Sequence, residues 1–425
     1  MTAARAMDLA ASRTTEISLG GEGWISVMIL ILFTGAVAGL LDAQFTETGR
    51  GASGSPVFKL LLSATYFFIA FVTYRDSAFV PRGRRTDFVL TLLLGVTFAS
   101  IAWSALPGRS FTRAIQLLFT TWFGAYIGRR YSIERQVLLL GYALIILETL
   151  SIATSLLLPR FGVMHGEFEG AWRGVFGHKN SLGRVAFLGC LVFAITIPMG
   201  GHRVLGWCGA IMSATLLVLS TSRSAVVGVL VVGVLLPLYK TLRRRGIVFM
   251  LYVVAAVVVP AVAAVWAYTH LEHVLTLLGR NLTLSGRTSL WFAVASFIAR
   301  RPLLGYGYNA FWQGMNGDSG FISMALRWEV PHAHNGLLEL ALDTGLLGVV
   351  LFVCSFARTF RDAVRLQKLG DGSAAMWPLL GLTFIAITNV TESSLLRSNN
   401  TFWLIYLFLA FGTRAAIPQA EEDGA

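Results

Sequence analysis

Two histidines and an asparagine stand immediately before an apolar stretch, in the order Pro331-His332-Ala333-His334-Asn335. A neutral imidazole can accept a proton from a hydroxyl group near pH 7, so this segment predicts a general base. Two histidines one residue apart could also bind a metal ion, but the spacing defines no third ligand, and we expect no metal site. The alternative is that both histidines are polar side chains at an interface, without a role in chemistry.

The helix predicted after this segment continues the polar set. Asn335, Glu339 and Asp343 are spaced i, i+4 and i+8, which predicts that they share one helix face. Carboxylates within an apolar span are energetically costly and by default functional. We therefore count His332, Asn335 and Glu339 as candidate substrate-binding residues. With a shifted helix register, Asp343 would instead lie near the far end of the span.

Two arginines occupy positions that suit an anion. Arg287 lies in the first turn of a helix predicted up to Arg300, where the helix dipole disfavours a cation. A bound anion would remove that conflict, because backbone N–H groups and the guanidinium could share it. Arg223 lies in the polar run Ser220-Thr221-Ser222-Arg223-Ser224 at a span boundary. The alternative for Arg223 is a side chain that merely extends to the membrane surface.

A fourth polar cluster spans residues 172–181 and mixes cations, aromatic rings and an asparagine ahead of another apolar run. The alternative is a plain loop that re-enters the membrane. Together the four clusters predict a cavity with several fixed cations, a candidate base and aromatic walls. The candidate substrate-binding residues of this fourth cluster are Arg173, His178, Lys179 and Asn180.

The apolar runs that must position these side chains dominate the composition. Of the 425 residues, 55% are hydrophobic and 13% are charged, against about a quarter charged in a typical soluble domain. A net charge of +12 comes from 34 lysines and arginines against 22 acidic residues, and the cations are scattered rather than gathered in a patch. This composition excludes a soluble or disordered chain, argues against nucleic acid as a partner and predicts an all-α polytopic membrane protein.

A bilayer core about 30 Å thick requires about 20 apolar helical residues, and about twelve such runs are present. We expect a cytoplasmic segment 1–23, transmembrane helices 1–9 within 24–268, a large periplasmic loop 269–335, helices 10–12 within 336–414 and a cytoplasmic tail 415–425. The predicted runs are 24–41, 57–74, 87–106, 112–128, 136–158, 181–200, 203–221, 224–239, 247–268, 336–357, 376–392 and 399–414.

The lysines and arginines predict both an orientation and a binding site. With the N-terminus in the cytoplasm, 19 of the 34 cations lie in cytoplasmic segments, as the positive-inside rule requires. Ten of the other 15 lie in 159–184, at Arg223 and in 269–335. Fixed arginines in an outer cavity suit an anionic, lipid-linked substrate such as a polyprenyl diphosphate. Diphosphate is a leaving group that needs charge neutralisation more than protonation.

The sequence resembles the O-antigen ligase and Wzy-type polysaccharide polymerase superfamily of bacterial inner membranes. His334-Asn335, nine residues and then Gly345-Leu346-Leu347-Gly348 match the family's His-Asn-x9-Gly-x-x-Gly signature. Arg223 in its Thr-Ser-Arg-Ser context, Ser285-Gly286-Arg287-Thr288-Ser289-Leu290-Trp291 and Arg301-Pro302-Leu303-Leu304-Gly305-Tyr306-Gly307 support the resemblance. The similarity is densest over 160–350.

The resemblance implies a GT-C-like helical fold and metal-independent glycosyl transfer without a cofactor. By this resemblance, His334 would be the general base that activates the acceptor hydroxyl. Arg223 and Arg287 would hold the undecaprenyl diphosphate of the donor glycan. The active site would face the periplasm of the inner membrane, and both termini would be cytoplasmic.

The stretch 172–180 is most similar to exopolysaccharide polymerases, which join lipid-linked repeat units. This favours a polymerase, for which a chain-length regulator is a further expected partner beside the lipid bilayer and the lipid-linked glycan. The first alternative is an O-antigen ligase that transfers the glycan to lipid A-core. The second, from another class, is a lipid-linked sugar flippase or transporter, which should carry its ionisable groups near mid-membrane between related halves.

Overall fold

The computed structural model describes residues 19–38, 40, 56–79, 87–242, 252, 287–370 and 372–423. Within these ranges the chain is helical and forms no β-strand beyond two isolated bridges. The main helices are α1 (Gly21–Phe33), α2 (Pro56–Phe79), α3 (Phe88–Ala99), α4 (Pro107–Arg130), α5 (Ile133–Leu157), α6 (Lys179–Thr196), α7 (Arg203–Leu219), α8 (Arg223–Thr241), α9 (Arg287–Arg300), α10 (Gly317–Leu326), α11 (Gly336–Leu369), α12 (Trp377–Thr391) and α13 (Thr401–Asp423).

Seven of the described helices are long and apolar enough to cross a membrane, namely α2, α5, α6, α8, α11, α12 and α13. Three others are apolar but shorter, namely α1, α7 and α3 with its 3-10 extension to Trp103. A helix satisfies its own backbone hydrogen bonds, which is why apolar segments adopt this structure in lipid. The prediction of an all-α polytopic membrane protein is confirmed.

Most predicted runs coincide with a described helix, although their ends differ. Helix α1 ends at Phe33, earlier than predicted, because Thr34 and Gly35 form a turn with a φ of 82° at the glycine. The run 247–268 lies almost entirely outside the described residues. The predicted loop 269–335 is described from Arg287, holds α9 where a helix is expected and adds α10, which the pattern does not predict. The domain boundaries stay predictions.

Helix α13 is central to the packing of the helices. Its residues 401–410 are all buried. It packs along α4, where a Cβ added at Gly128 would lie 2.8 Å from the Phe411 Cβ and 2.9 Å from the Phe408 carbonyl oxygen. Small residues permit such close backbone approach in membrane helices. Helices α11 and α12 also pack on α13, so the loop between α12 and α13 is anchored at both of its ends.

Helix α11 is interrupted at Gly345, and the segment 301–307 packs against this break. Gly345 adopts a φ of 70°, and a Cβ there would lie 2.1 Å from the Leu303 carbonyl oxygen. At the break, the Leu346 N–H donates to the Pro302 carbonyl at 2.7 Å, and the Tyr306 N–H donates to the Leu342 carbonyl at 2.7 Å. The segment 301–307 therefore packs on α11, which we call the signature helix because it carries Gly345 and Gly348. The backbone hydrogen bonds between them could not form if the helix were unbroken.

The segment from α9 to α11 has a small hydrophobic core of its own. Phe311 contacts Phe297, Tyr306 and Trp312 edge-to-face, with ring centroids 5.0 to 5.5 Å apart. Such aromatic packing makes this segment a folded unit resting on α11, which gives its polar side chains fixed positions. The core comprises Leu290, Val294, Phe297, Tyr306, Phe311, Trp312, Ile322, Val330, Ala333 and Leu342.

Candidate active site

Glu392, immediately after α12, collects three groups from distant parts of the chain. Its Oε2 lies 3.7 Å from His332 Nε2 and 3.8 Å from His334 Nδ1, and its Oε1 lies 3.3 Å from an Nη of Arg287. The Glu392 side chain retains only 17% of its exposed area. We call these four residues the Glu392 cluster. It unites the predicted base with one of the two predicted anion-binding arginines.

His334 is held in an unusual backbone conformation. Its φ is 49°, in the left-handed region that non-glycine residues rarely adopt and that persists only where the surroundings impose it. The His332 and His334 rings lie 4.0 Å apart between centroids, and Trp328 lies 6.1 Å from His334. His334 Nδ1 is buried without a hydrogen bond in the described part, although the whole side chain keeps 20% exposure. Nδ1 therefore faces Glu392, whereas Nε2 forms no hydrogen bond with any described residue.

Glu339 holds the segment that carries His332 and His334 in place through hydrogen bonds. Its Oε2 accepts hydrogen bonds from the Ala333 N–H at 2.7 Å and the Trp312 indole N–H at 3.1 Å. Its Oε1 accepts from Arg397 at 2.5 Å. Because Ala333 lies between the two histidines, this buried carboxylate fixes the loop that carries them. Its described contacts give Glu339 a positioning role.

Asn335 and Asp343 are likewise engaged by the protein. The Asn335 carboxamide caps α11 by accepting from the Leu337 and Leu338 N–H groups at 3.0 and 3.1 Å, and it donates to the Val390 carbonyl at 3.2 Å. Asp343 accepts from the Asn309 N–H at 2.9 Å. Asn335 is thus a cap outside the helix, whereas the buried Asp343 holds the 301–312 segment.

Burial and neighbouring charges set the protonation states of the Glu392 cluster. Burial alone would raise the pKa of Glu392, but contact with His332 and His334 and the charge of Arg184 hold that pKa well below its usual range. Burial lowers the pKa of His332, which outweighs the opposing effect of Glu392. At neutral pH the cluster therefore combines an ionised carboxylate with a neutral His332.

The 172–181 and 220–224 clusters pack against each other. Lys179 Nζ donates to Thr221 Oγ1 at 3.0 Å, and Ser222 Oγ donates to Asn180 Oδ1 at 3.5 Å. His178 caps α6 by accepting from the Asn180 N–H at 3.2 Å, and burial lowers its pKa. The structure therefore brings two of the four predicted clusters together.

The arginines of these two clusters differ in their partners. Arg173 Nε donates to the Phe161 carbonyl at 2.7 Å, which commits part of its guanidinium to the loop. Arg223 begins α8, is exposed and forms no hydrogen bond or ion pair with any described residue. Arg223 is therefore available to a ligand in a way that Arg173 is not.

Sequence reasoning missed Arg184 and the role of Glu392. A small crevice lined by Asn180, Arg184, Ser224 and Glu392 joins the packed pair of clusters to the Glu392 cluster. Arg184 stacks on Phe402 at 4.2 Å, and its buried Nε has no hydrogen-bond partner among the described residues. The sequence does contain a signal for both residues, because each is a charge in an otherwise apolar run. Burying a charge is energetically costly, so such a residue is a candidate for a functional role.

The Glu392 cluster also contains a set of atoms that could hold a metal ion. One ligand atom each from His332, His334 and Glu392 lie within 4.8 Å of one another. Two imidazoles and a carboxylate are a common zinc donor set. Glu392 would supply the third ligand that the local sequence did not define, so transfer should be measured with and without a chelator.

The described part of the chain is thus polytopic and helical, with a histidine–carboxylate cluster next to the broken helix α11. Residues 208–353 match the family described as O-antigen ligase. This match, together with the similarity over a longer stretch described next, supports the predicted resemblance to the O-antigen ligase superfamily.

Two relatives show how far the similarity extends. The exopolysaccharide production protein ExoQ of Rhizobium meliloti is 30% identical over 293 residues, which cover 64% of this chain and 63% of ExoQ. A putative polysaccharide ligase of Rickettsia conorii is 32% identical over 85 residues, 19% of this chain and 21% of that protein. The chain thus spans less than two thirds of the length of these relatives.

Proposed function

We propose that the protein polymerises undecaprenyl-diphosphate-linked oligosaccharide repeat units into exopolysaccharide at the periplasmic face of the inner membrane. The observation that carries the proposal is His334 fixed on the signature loop, with Nδ1 turned to Glu392 and the side chain partly exposed. An imidazole held in this way can serve as a general base, in the manner of a histidine oriented by a carboxylate.

In the proposed reaction, an acceptor sugar hydroxyl attacks the anomeric carbon of the donor. The bond from that carbon to the diphosphate oxygen breaks, and the electron pair leaves with undecaprenyl diphosphate. The hydroxyl proton passes to His334 Nε2, and the charge of Glu392 stabilises the imidazolium that forms. Arg287 and Arg223 neutralise the departing diphosphate, the task that a metal ion performs in other transferases.

The position of Arg287, between Glu392 and solvent, supports this assignment. It contacts Glu392 at 3.3 Å while its side chain keeps 17% exposure, so a phosphate could approach its remaining N–H groups. Arg223 directly precedes Ser224, which lines the small crevice that also contains Glu392. We expect both arginines to act on one diphosphate that binds across this surface.

Transfer with purified protein tests the proposal. Wild-type protein in detergent should elongate lipid-linked repeat units without an ion gradient and in the presence of a metal chelator. His334→Ala should lower the rate by about 100-fold or more, and Arg287→Ala should raise the donor concentration needed for half-maximal rate. His165→Ala and Arg300→Ala are matched controls, because both side chains are exposed and neither belongs to the Glu392 cluster.

Long polymer made by both His334→Ala and Arg287→Ala would refute the proposed roles. Loss of wild-type activity on chelation, restored by zinc, would instead assign His332, His334 and Glu392 to a metal. Transport of the lipid-linked glycan without elongation would favour the flippase alternative.

An O-antigen ligase is the second candidate, because the family description carries that name and the Rickettsia relatives are named putative polysaccharide ligases. The polymerase is favoured because similarity to ExoQ covers 64% of the chain, against 19% for the Rickettsia conorii protein. A deletion strain separates the two. Loss of long free polymer supports the polymerase, whereas loss of glycan-capped lipopolysaccharide alone supports the ligase.

A further inference from the structure

A polar pocket lies next to the histidine segment and is separate from the Glu392 cluster. It has a volume of about 510 Å³ and is formed by the start of α4, the loop before α10 and the segment that leads to His332. Its size is within the range of small-molecule sites. Its main lining residues are Arg109, Trp312, Gln313, Asn316, Glu329 and Pro331. We call it the Glu329 pocket.

Several polar groups in the Glu329 pocket have hydrogen-bonding capacity to spare. Glu329 is exposed and forms no hydrogen bond or ion pair with any residue that the structure describes. The Asn316 carboxamide, also exposed, leaves the N-terminus of α10 uncapped. Arg109 donates one N–H to the Trp312 carbonyl at 2.8 Å, which leaves its other N–H groups for a ligand. Gln313 donates to the Ala310 carbonyl and keeps its oxygen as an acceptor.

The opposite charges of Arg109 and Glu329 favour a neutral ligand in the Glu329 pocket. Arg109 and Glu329 both line the pocket without forming an ion pair with each other within the described residues. A phosphate would be opposed by Glu329, and a cation would be opposed by Arg109. A neutral polyhydroxyl ligand suits both, because a hydroxyl group donates to a carboxylate and accepts from a guanidinium. The two side-chain amides offer further donors and acceptors of the same kind.

The wall of the Glu329 pocket is tied to the candidate base. The Trp312 indole and the Ala333 N–H donate to the same Oε2 of Glu339, at 3.1 and 2.7 Å. Pro331 lines the pocket directly, and His332 is the next residue. A ligand in the pocket is therefore held in fixed register with the loop that presents His334.

We infer that the Glu329 pocket binds a neutral saccharide of the acceptor chain and so aligns the acceptor hydroxyl with His334. The identification of the bound saccharide as the acceptor rests on the proposed function. Saccharide binding itself can be measured without any glycosyl transfer. Specificity for the repeat unit would then come from the Arg109, Asn316 and Glu329 side chains, which take no part in bond breaking.

Kinetics with separately varied donor and acceptor test the inference. Glu329→Gln and Asn316→Ala should each raise the KM for the acceptor oligosaccharide by about tenfold, with kcat and the donor KM within twofold of wild type. Asp318→Asn is the matched control, since it removes a carboxylate from the first turn of α10, outside the lining of the pocket. An unchanged acceptor KM in both pocket variants would overturn the inference.

Direct binding separates this inference from the proposed function. The probe is the free oligosaccharide released from the lipid-linked repeat unit, and binding is followed by saturation-transfer NMR with the protein in detergent. His334→Ala protein should bind the probe as wild type does, and Glu329→Gln protein should bind it about tenfold more weakly. Inorganic pyrophosphate should not displace it. Equal binding by wild type and Glu329→Gln, or displacement by pyrophosphate, would overturn the inference even if transfer depends on His334.

Discussion

Carboxylates meet arginines near both ends of α11, and the two places differ in which polar atoms are left without a partner. Near its start, Glu392 contacts two histidines at 3.7 and 3.8 Å, beyond ordinary hydrogen-bond distance, and His334 Nδ1 has no hydrogen bond in the described part. Near its end, about 40 Å further along at ~1.5 Å per residue, Asp362 belongs to a network in which both of its carboxylate oxygens have partners. The same residue types therefore serve two purposes.

The closed network is centred on Arg414. Its guanidinium lies 3.2 Å from Asp87 and 3.5 Å from Asp362, which also lies 3.1 Å from Arg361. The second oxygen of Asp87 caps α3 by accepting from the Val89 and Leu90 N–H groups. Every carboxylate oxygen of these two aspartates has a partner, so the network ties three helices together and has little capacity for a ligand.

The comparison teaches that pairing distinguishes structural arginines from functional ones in this protein. A saturated network stabilises the fold, whereas buried polar atoms without partners cost free energy and persist where a ligand can satisfy them. On this criterion we infer that Arg414 is structural and that Arg223, which has no partner among the described residues, is a ligand-binding candidate. Arg287 is a candidate only through the guanidinium N–H groups that its single contact with Glu392 leaves over. Four changes test this division, beginning with the largest expected effect.

Arg414→Leu should destabilise the protein by about 3 kcal/mol, because it leaves Asp87 and Asp362 without their shared cation. Thermal unfolding in detergent measures the loss, and the activity per folded molecule should stay near that of wild type. Arg365→Leu is the matched control: its ion pair with Glu421 is largely exposed and should be worth less than about 1 kcal/mol. Equal effects of the two substitutions would contradict the division.

Gly345→Ala should cost about 2 kcal/mol or more and also lower activity. The new Cβ would meet the Leu303 carbonyl, and the φ of 70° is unfavourable for alanine. The docked 301–307 segment would move, and with it the loop that Glu339 braces. Gly372→Ala, where a Cβ meets nothing within 4 Å, provides the comparison. A Gly345→Ala protein with wild-type stability would show that the break in α11 is not required.

Glu392→Gln should lower kcat by about 10- to 100-fold, and its loss of thermal stability should be smaller than that of Arg414→Leu. The neutral amide keeps the shape of the side chain but no longer stabilises the imidazolium, so the acidic limb of the pH–rate profile should move to lower pH. Glu421→Gln removes an exposed carboxylate as a control. An unaltered pH profile together with reduced stability would make Glu392 a structural residue like Asp362.

The pH dependence of stability should give the smallest effect. Burial lowers the pKa of folded His332 below its ordinary value of 6.5, so between pH 7 and 5 the unfolded chain binds a proton more readily. Stability from this residue is present above pH 6.5 and is lost as the pH falls toward the folded pKa. Stability from the ionised Glu392 is present above its ordinary pKa of 4.5 and is lost only below it, because its folded pKa is lower still, so Glu392 does not affect the range from pH 7 to 5. His332→Gln should therefore reduce the fall in Tm between pH 7 and 5. An identical fall in both proteins would contradict this.

Local patterns were enough to predict most of the helices and part of the site. Apolar runs such as 136–158 and 336–357 predict helices that the structure contains, because lipid leaves an apolar segment few other ways to satisfy its backbone. His334 and Arg287 were found because their motifs are short and continuous. Glu392 and Arg184 were missed as site residues, because each is a single charge in an apolar run whose neighbours belong to other helices.

The sequence by itself determined the membrane class, the position of the signature helix and the identity of a candidate base, since these depend on hydropathy, capping and spacing within about 20 residues. Only the tertiary structure decided which charges meet. It joined Arg287, His332, His334 and Glu392 across more than a hundred residues and turned Glu339 into a brace. It also gave Arg414 two aspartate partners and left Arg223 without a partner among the described residues. Partners of this kind are set by helix packing, and no local periodicity encodes them.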